Sequence, residues 1–218
     1  MLVLEDFSVG FGSSKLIKNL SISVDFPSII AILGNNGVGK STFLQALRGN
    51  IPHQGTIYVQ GLKHHPNLFA FLGQSYQFNF PFSVLDFIQI NASEEESTEM
   101  LNFLVQTFYL SDLLSKNINE ISQGQLQKCL IAQTLMQKAS VVLLDEPECH
   151  LDIKNRKMVS EGLKAYATAF KKCVVFVSHD LEMVKNTADF LINFSKPEPQ
   201  LQKCTTEVIL ENTLFLSV

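Results

Sequence analysis

The amino-acid sequence predicts an α/β fold built on a largely parallel sheet covered on both faces. Three observations predict it. Short, continuously apolar runs recur at Ile29–Leu33, Ala139–Leu144 and Cys173–Val177, the pattern of strands buried on both faces. Segments with helical character alternate with them, near 42–48, 121–137 and 154–170. Between the first run and the first helix lies Gly34-Asn35-Asn36-Gly37-Val38-Gly39-Lys40-Ser41-Thr42, with the G-x-x-x-x-G-K-[ST] spacing of a phosphate-binding loop.

Each position of that loop has a physical reason. Glycines let the backbone fold back with its N–H groups inward, where a Cβ would obstruct. The helix starting at the loop adds the positive end of its dipole. Lys40 would reach the β- and γ-phosphates of a nucleotide, and the Ser41 hydroxyl would ligate Mg²⁺. The alternative is a plain glycine-rich turn. Strand, loop and helix signals all sit where the phosphate motif needs them, which disfavours it.

Composition narrows the rest. The 218 residues are 46% hydrophobic and 10% aromatic, enough for a substantial core. A net charge of −4 argues against a chain that coats nucleic acid non-specifically. Cys129, Cys149, Cys173 and Cys204 are widely spaced, with no C-x-x-C pair, so each is expected to be a small buried residue. Met1-Leu2-Val3-Leu4-Glu5-Asp6 meets acid at once, unlike a signal peptide. No stretch reaches the ~20 apolar residues of a membrane span. The expected location is cytoplasmic, with any membrane role requiring a partner.

In chain order, residues 2–9 and 16–24 read as strands, separated by a turn at Gly10-Phe11-Gly12-Ser13-Ser14. Gly49 with Pro52 stops the helix that follows the phosphate loop. Thr56–Val59 reads as a strand, and Phe69–Gln74 is another apolar run, ending at a glutamine. Residues 75–120 change character: an aromatic, proline-broken loop at Phe78–Phe82, then Ser93-Glu94-Glu95-Glu96 as a capping pattern. Leu101, Leu104, Val105 and Phe108 form the stripe of an amphipathic helix. Ile121-Ser122-Gln123-Gly124-Gln125 opens another helix. Beyond Val177 come a strand at Asp189–Phe194, a turn at Lys196-Pro197-Glu198-Pro199, and a helical tail from Thr206. His64-His65 lacks further ligands nearby and reads as a polar loop rather than a metal site.

A phosphate loop needs a partner acid. Asp145 ends an apolar strand, where it can hold Mg²⁺. Neighbouring side chains on a strand point to opposite faces, so Glu146 can address a water beside the γ-phosphate only if the chain is already turning there. Pro147 makes that turn plausible.

With these residues placed, the chain resembles the nucleotide-binding subunits of ATP-binding cassette (ABC) transporters over nearly its whole length. Ile121–Gln125 resembles the family signature L-S-G-G-Q. Gln74 resembles the Q-loop glutamine, Leu151-Asp152 the D-loop, and His179 the switch histidine. Phe11 stands where the family places an adenine-stacking aromatic. The resemblance implies a RecA-like P-loop NTPase core, an N-terminal antiparallel β subdomain and an inserted helical subdomain. Residues 1–218 would be one ATPase domain, with 1–80 and 139–218 as the core and 81–138 as the helical signature part.

Site roles follow from the same resemblance. Gly34 to Thr42, including Asn35, Asn36, Gly37, Val38 and Gly39, would wrap the phosphates of ATP. Ser41, Asp145 and Gln74 would serve Mg²⁺ and the attacking water. Glu146 would be the base, and His179 would contact the γ-phosphate or the water. Ser122, Gly124 and Gln125 would bind the γ-phosphate held by a second copy, giving a head-to-tail pair that sandwiches ATP. A permease in the membrane would dock near Gln74–Phe82. An extracytoplasmic binding protein would be an indirect partner, and no nucleic acid is expected. The location implied is the inner face of the cell membrane.

The sequence departs from the family pattern in places. Gln123 replaces the first signature glycine, Leu126 and Gln127 stand where basic residues are frequent, and the region after His179 lacks a glycine-containing turn. His150-Leu151-Asp152-Ile153-Lys154 resembles the D-loop of importers for iron chelates, haem and cobalamin, and the aromatic loop resembles those of metal and metal-chelate importers. An exporter subunit and a soluble, non-transport ABC ATPase share the same motifs and stay open as alternatives.

Overall fold

The computed structural model describes residues 1–11, 14–73, 82–90, 92 and 97–213. The chain starts with strands β1 (Leu2–Phe11) and β2 (Ser14–Val24), followed by β3 (Ser28–Leu33) and helix α1 (Lys40–Arg48). Strands β4 (His53–Val59), β5 (Leu62–Lys63) and β6 (Phe69–Leu72) come next. Helices α2 (Val84–Gln89), α3 (Ser97–Thr107) and α4 (Gln123–Leu135) fill the middle. Then β7 (Val141–Asp145), α5 (Ile153–Phe170), β8 (Cys173–Val177), α6 (Leu181–Thr187), β9 (Phe190–Asn193), β10 (Gln202–Lys203) and α7 (Thr206–Thr213) complete it.

Among the described residues two sheets form. The first has the order β2-β1-β4-β5 and is antiparallel throughout, which is the N-terminal β part expected. In β2, Leu20, Ile22 and Val24 are buried while Ser21 and Ser23 are exposed, so its period-two alternation does specify one covered face. The second sheet has the order β10-β9-β3-β8-β7-β6 and is parallel except at β10. All residues of β3, β7 and β8 are buried, as their unbroken apolar runs require.

The parallel sheet separates two cores. On β3, Ile29, Ala31 and Leu33 face the cluster shared with the helices α2 to α5, whereas Ile30 and Ile32 face the cluster shared with α1 and the antiparallel sheet. On β7 the same alternation sends Val142 and Leu144 one way, Val141 and Leu143 the other. The stripe on α3 behaves as expected: Leu104, Val105 and Phe108 are buried and Leu101 packs half-buried beside them.

Gly55 lies inside β4, where its pairing with β1 shifts register between Glu5 and Ser8. Its φ is +85°, and an added Cβ would overlap the Glu5 carbonyl oxygen and sit 2.6 Å from the Asp6 carbonyl carbon. Neither neighbour is a side chain that can swing away. Gly55→Ala is therefore expected to cost about 2–4 kcal/mol and to lower the thermal midpoint by about 5–15 °C. Thermal unfolding of the purified variant checks it; a midpoint equal to the parent's would mean that β1 and β4 separate there freely.

Several elements went unread in the sequence. α6 is short, and its signal is Asp180, whose carboxylate accepts from the Met183 N–H at 3.0 Å as an N-cap. β5 and β10 are two residues long and sit at sheet edges, too short to carry a period. The capping pattern at Ser93–Glu96 and most of the aromatic loop, Phe78, Phe80 and Pro81, lie outside the described residues. Phe82 packs half-buried against the helical core, as the packing reading of that loop expects. Cys129 and Cys173 are buried as expected, but Cys149 and Cys204 are only half-buried, and all four are free thiols.

Candidate nucleotide site

β3 delivers the chain to the phosphate loop, and α1 carries it away. α1 begins at Lys40, two residues before the sequence suggested, because Phe43 N–H already bonds to the Gly39 carbonyl at 2.8 Å. Its cap is Gly39, with φ +106° and no side chain to occupy the first N–H groups of the helix. A helix start left uncapped by a side chain offers those groups to an anion. At Gly39 an added Cβ would also press on Leu16 at 3.0 Å, so both conformation and space require glycine.

Lys40 folds back over its own loop. Its Nζ donates to the Gly34 carbonyl at 2.8 Å and the Asn35 carbonyl at 3.0 Å. Burial lowers the Lys40 pKa from the ordinary lysine value, while the nearby Glu146 and Asp145 carboxylates pull it back up. The loop's other wall comes from a residue the sequence did not flag: Asn35 N–H donates to Ser195 Oγ at 2.8 Å, and Ser195 N–H donates to Asn193 Oδ1 at 2.9 Å. Asn36, Gly37 and Ser41 are exposed, and Asn35, Val38 and Thr42 are half-buried.

β7 ends at Asp145, which is 5% exposed and lies beside Val177 of β8. The next residue settles the question raised by the sequence. Glu146 has φ +51°, so the chain has left the strand and turned its side chain aside. Left-handed backbone costs a residue with a Cβ roughly 1–2 kcal/mol, and His150 adopts it too, with φ +62°. Two such residues in one short turn mark a constrained segment. Glu146 Oε1 lies 3.5 Å from His179 Nε2. The His179 side chain is 45% exposed and the Glu146 side chain 28%, so the pair faces outward, open to a ligand.

The surroundings of Glu146 hold further residues not anticipated. Cys149 Sγ–H donates to Glu146 Oε2 at 3.4 Å. Burial, with the hydrogen bond and charge of Glu146, pushes the Cys149 thiol up to about 11. Glu148 is 7% exposed and accepts from the Ser178 hydroxyl and, at 3.2 Å, from the His179 N–H. Arg156 donates through Nη1 to Asp180 Oδ2 and through Nε to the Leu151 carbonyl, both at 2.9 Å. Asp152 caps α5, accepting from Asn155 N–H at 2.7 Å.

The signature segment forms the start of α4. Ser122 caps it, and a reciprocal capping box links Ser122 and Gln125: Ser122 N–H donates to Gln125 Oε1 at 2.9 Å and Gln125 N–H donates to Ser122 Oγ at 3.3 Å. Among the described residues, the N–H groups of Gln123 and Gly124 and the Ser122 hydroxyl proton meet no acceptor and so can serve an anion. Gln123 sits at the first helical position without a left-handed backbone, so a side chain is tolerated there. Gly124 is different, because an added Cβ would lie 3.0 Å from the His150 carbonyl oxygen. Gln127, a departure in sequence, has a defined task. It is buried, and its Nε2 donates to the Pro147 carbonyl at 3.1 Å, tying α4 to the Asp145-Glu146-Pro147 turn.

The structure thus gathers Lys40, Asp145, Glu146 and His179 at the ends of β3, β7 and β8. Among the described residues no hydrogen bond or ion pair joins residues 122–125 to residues 34–42. Gln74 lies outside the described residues, just past the end of β6. Phe11 ends β1, paired with Ser14. No cluster of three or more His, Cys, Asp or Glu groups suited to a metal occurs among the described residues, His64-His65 included. His64 Nε2 instead meets the Leu47 carbonyl at 2.8 Å. The donors near the phosphate loop, the Ser41 hydroxyl and the Asp145 carboxylate, are hard oxygens. That set fits Mg²⁺, which takes one or two protein ligands and completes its shell with phosphate and water.

Residues 17–148 match the family model for the ABC transporter. This chain belongs to the ABC transporter family. It is an ATP-binding, ATP-hydrolysing subunit of the ABC type, a kind that works with membrane permeases and dimerises. The zinc import ATP-binding protein ZnuC of Anaplasma phagocytophilum (strain HZ) is 28% identical, the match covering all of this chain and 88% of that one. ZnuC 1 of Aliivibrio fischeri is 30% identical over 88% of this chain and 74% of its own. A solved ATP-binding subunit of an ABC transporter superposes with a TM-score of 0.79 at 21% identity, covering 100% of this chain and 95% of that one. Among the described residues of this ABC subunit, no helix is long and apolar enough to cross a membrane.

Proposed function

We propose that this ABC ATPase powers import of a metal ion or metal chelate, docked on a permease at the inner face of the membrane. The observation that carries the ATPase part is the grouping of Lys40, Asp145, Glu146 and His179 at adjacent strand ends. The metal part is supported by relatives that are themselves zinc import ATP-binding proteins. It is supported also by the likeness of residues 150–154 to D-loops of metal-chelate importers.

In this reading residues 1–218 act as one ATPase domain, and Gly34 to Thr42 wrap the phosphates of ATP. Lys40 leaves the Gly34 and Asn35 carbonyls for the β- and γ-phosphates, exchanging neutral acceptors for an anion. Ser41 and Asp145, with Gln74, hold Mg²⁺, which would neutralise the developing phosphate charge. Glu146 accepts the proton of the attacking water, and His179 orients that water or the γ-phosphate. Phe11 stacks on adenine. Ser122, Gly124 and Gln125 bind the γ-phosphate of a second copy, Gly124 through its N–H and Ser122 through its hydroxyl, with Gln125 holding Ser122 in place through the capping box. Closure of the pair on ATP is then a population shift driven by contacts made only across that interface.

Purification of the tagged chain from its native membranes in mild detergent tests this. The expected result is co-elution of a polytopic permease with two copies of this chain, and ATPase activity stimulated by the cognate metal-loaded binding protein. Recovery only in the soluble fraction, with ribosomal or DNA-repair partners, would replace transport with the soluble alternative and leave the ATPase mechanism standing.

A further inference from the structure

We propose that Glu148 is a positioning residue for hydrolysis, its buried carboxylate clamping the segment that carries His179 against the segment that carries Glu146. The inference rests on the roles given above to those two residues.

The sheet stops holding these segments together just where the chemistry begins. The last backbone bond between them is Glu146 N–H to the Val177 carbonyl, at 3.0 Å. Beyond it one chain turns left-handed at Glu146 and the other runs on to cap α6 at Asp180. Glu148 spans the gap. One carboxylate oxygen, Oε1, takes both the Ser178 hydroxyl and the His179 N–H. Ser178 is 1% exposed, and its oxygen in turn accepts from the Asp180 N–H at 2.9 Å. Arg156 makes a second tie between Asp180 and the Leu151 carbonyl. Residues 148–151 and 178–180 are thereby fastened at two points.

The choice of a carboxylate is costly and so informative. Among the described residues, the buried Glu148 Oε2 has no hydrogen-bond partner. Burial raises the Glu148 pKa, and the bonds from Ser178 and His179 only partly reverse it. An apolar side chain would avoid that cost but take the carboxylate acceptor away from the buried Ser178 hydroxyl and from the His179 N–H. What the carboxylate secures is the 3.5 Å approach of His179 Nε2 to Glu146 Oε1. Misplacement of a reacting group by about 1 Å can cost about 10²-fold in rate.

Steady-state ATPase kinetics on the permease-bound complex decide the matter, using the parent, Glu148→Ala, Glu148→Gln, His179→Ala and the Glu148→Ala/His179→Ala double variant. Glu148→Ala is expected to lower kcat about 10–100-fold with KM for ATP within about threefold. Glu148→Gln keeps an acceptor oxygen and should lose only about 2–5-fold. In the His179→Ala background, Glu148→Ala should cost no more than about a further twofold, since what it positions is already gone. A parental kcat in Glu148→Ala, or losses that multiply in the double variant, overturns the proposal. Should Glu148→Ala fail to fold, Glu148→Gln and Ser178→Ala carry the test, and parental rates in both overturn it. If His179→Ala itself turns over at the parental rate, the underlying site reading falls; a slowed His179→Ala beside a parental Glu148→Ala rejects the clamp alone.

Discussion

Glu146→Gln should lower ATP turnover by about 10²–10⁴-fold, the usual worth of a positioned base, while ATP affinity stays within about threefold. Glutamine matches glutamate in size and still accepts the Cys149 thiol hydrogen bond, so the constrained turn at φ +51° need not relax. What it cannot do is take a proton from water. With closure intact and hydrolysis stopped, the pair should accumulate as an ATP-dependent dimer, visible by light scattering. The mass should fall back to the monomer when ATP is removed. Normal turnover in this variant would remove Glu146 as the base and point to a phosphate oxygen or His179 instead.

The second large effect is at Lys40. Lys40→Met should weaken ATP binding by about 10–150-fold, from losing a hydrogen bond to a charged partner worth about 1.5–3 kcal/mol. Its effect on the nucleotide-free chain should be opposite in kind. Burial holds the Lys40 pKa below its ordinary value of 10.5. A lysine whose folded pKa is depressed opposes folding at every pH below that lowered value. The opposition fades as pH rises toward 10.5, where the unfolded chain also loses the proton. At neutral pH the variant removes this opposition along with the two carbonyl bonds, so it should melt no lower than the parent without nucleotide. With ATP present, the parent alone should gain thermal stability. Equal ATP titration curves for both would show that Lys40 does not reach phosphate.

The parts of this molecule legible in the sequence are those where local chemistry dictates the outcome. The phosphate loop is one, because a strand, a glycine turn and a helix start must coincide there. The buried strands β3, β7 and β8 are another, since a run apolar on both faces has few other places to go. The signature segment was legible too, as the opening of a helix, and the structure adds the capping box between Ser122 and Gln125. What escaped were contacts made between segments distant in the chain. Glu148 reads as one more acid in a turn until β8 brings Ser178 and His179 beside it. Ser195 looked like a residue before an awkward turn, yet it braces Asn35 from a position 160 residues away. Gln127 seemed a departure from pattern and proves to be the tie to Pro147. Cys149, expected to be inert core, touches the acid assigned as base. α6 was missed because seven residues barely hold two turns, so only its cap gives it away.

The parallel register of β6, β7, β8 and β3 sets where this chain can change length. Their C-terminal ends lie along one edge, so the segments that follow them are aligned like teeth on a comb. One residue added within β7 would advance Asp145 by about 3.3 Å and exchange the faces of every side chain after it. Both cores would be disturbed together, because alternate residues of that strand serve each. The connection between α3 and α4 is no freer, because Phe108, Leu110, Leu113 and Ile118 within it are buried in the helical core. Descendants of this sequence must therefore keep the residue count of the strands that end at the nucleotide.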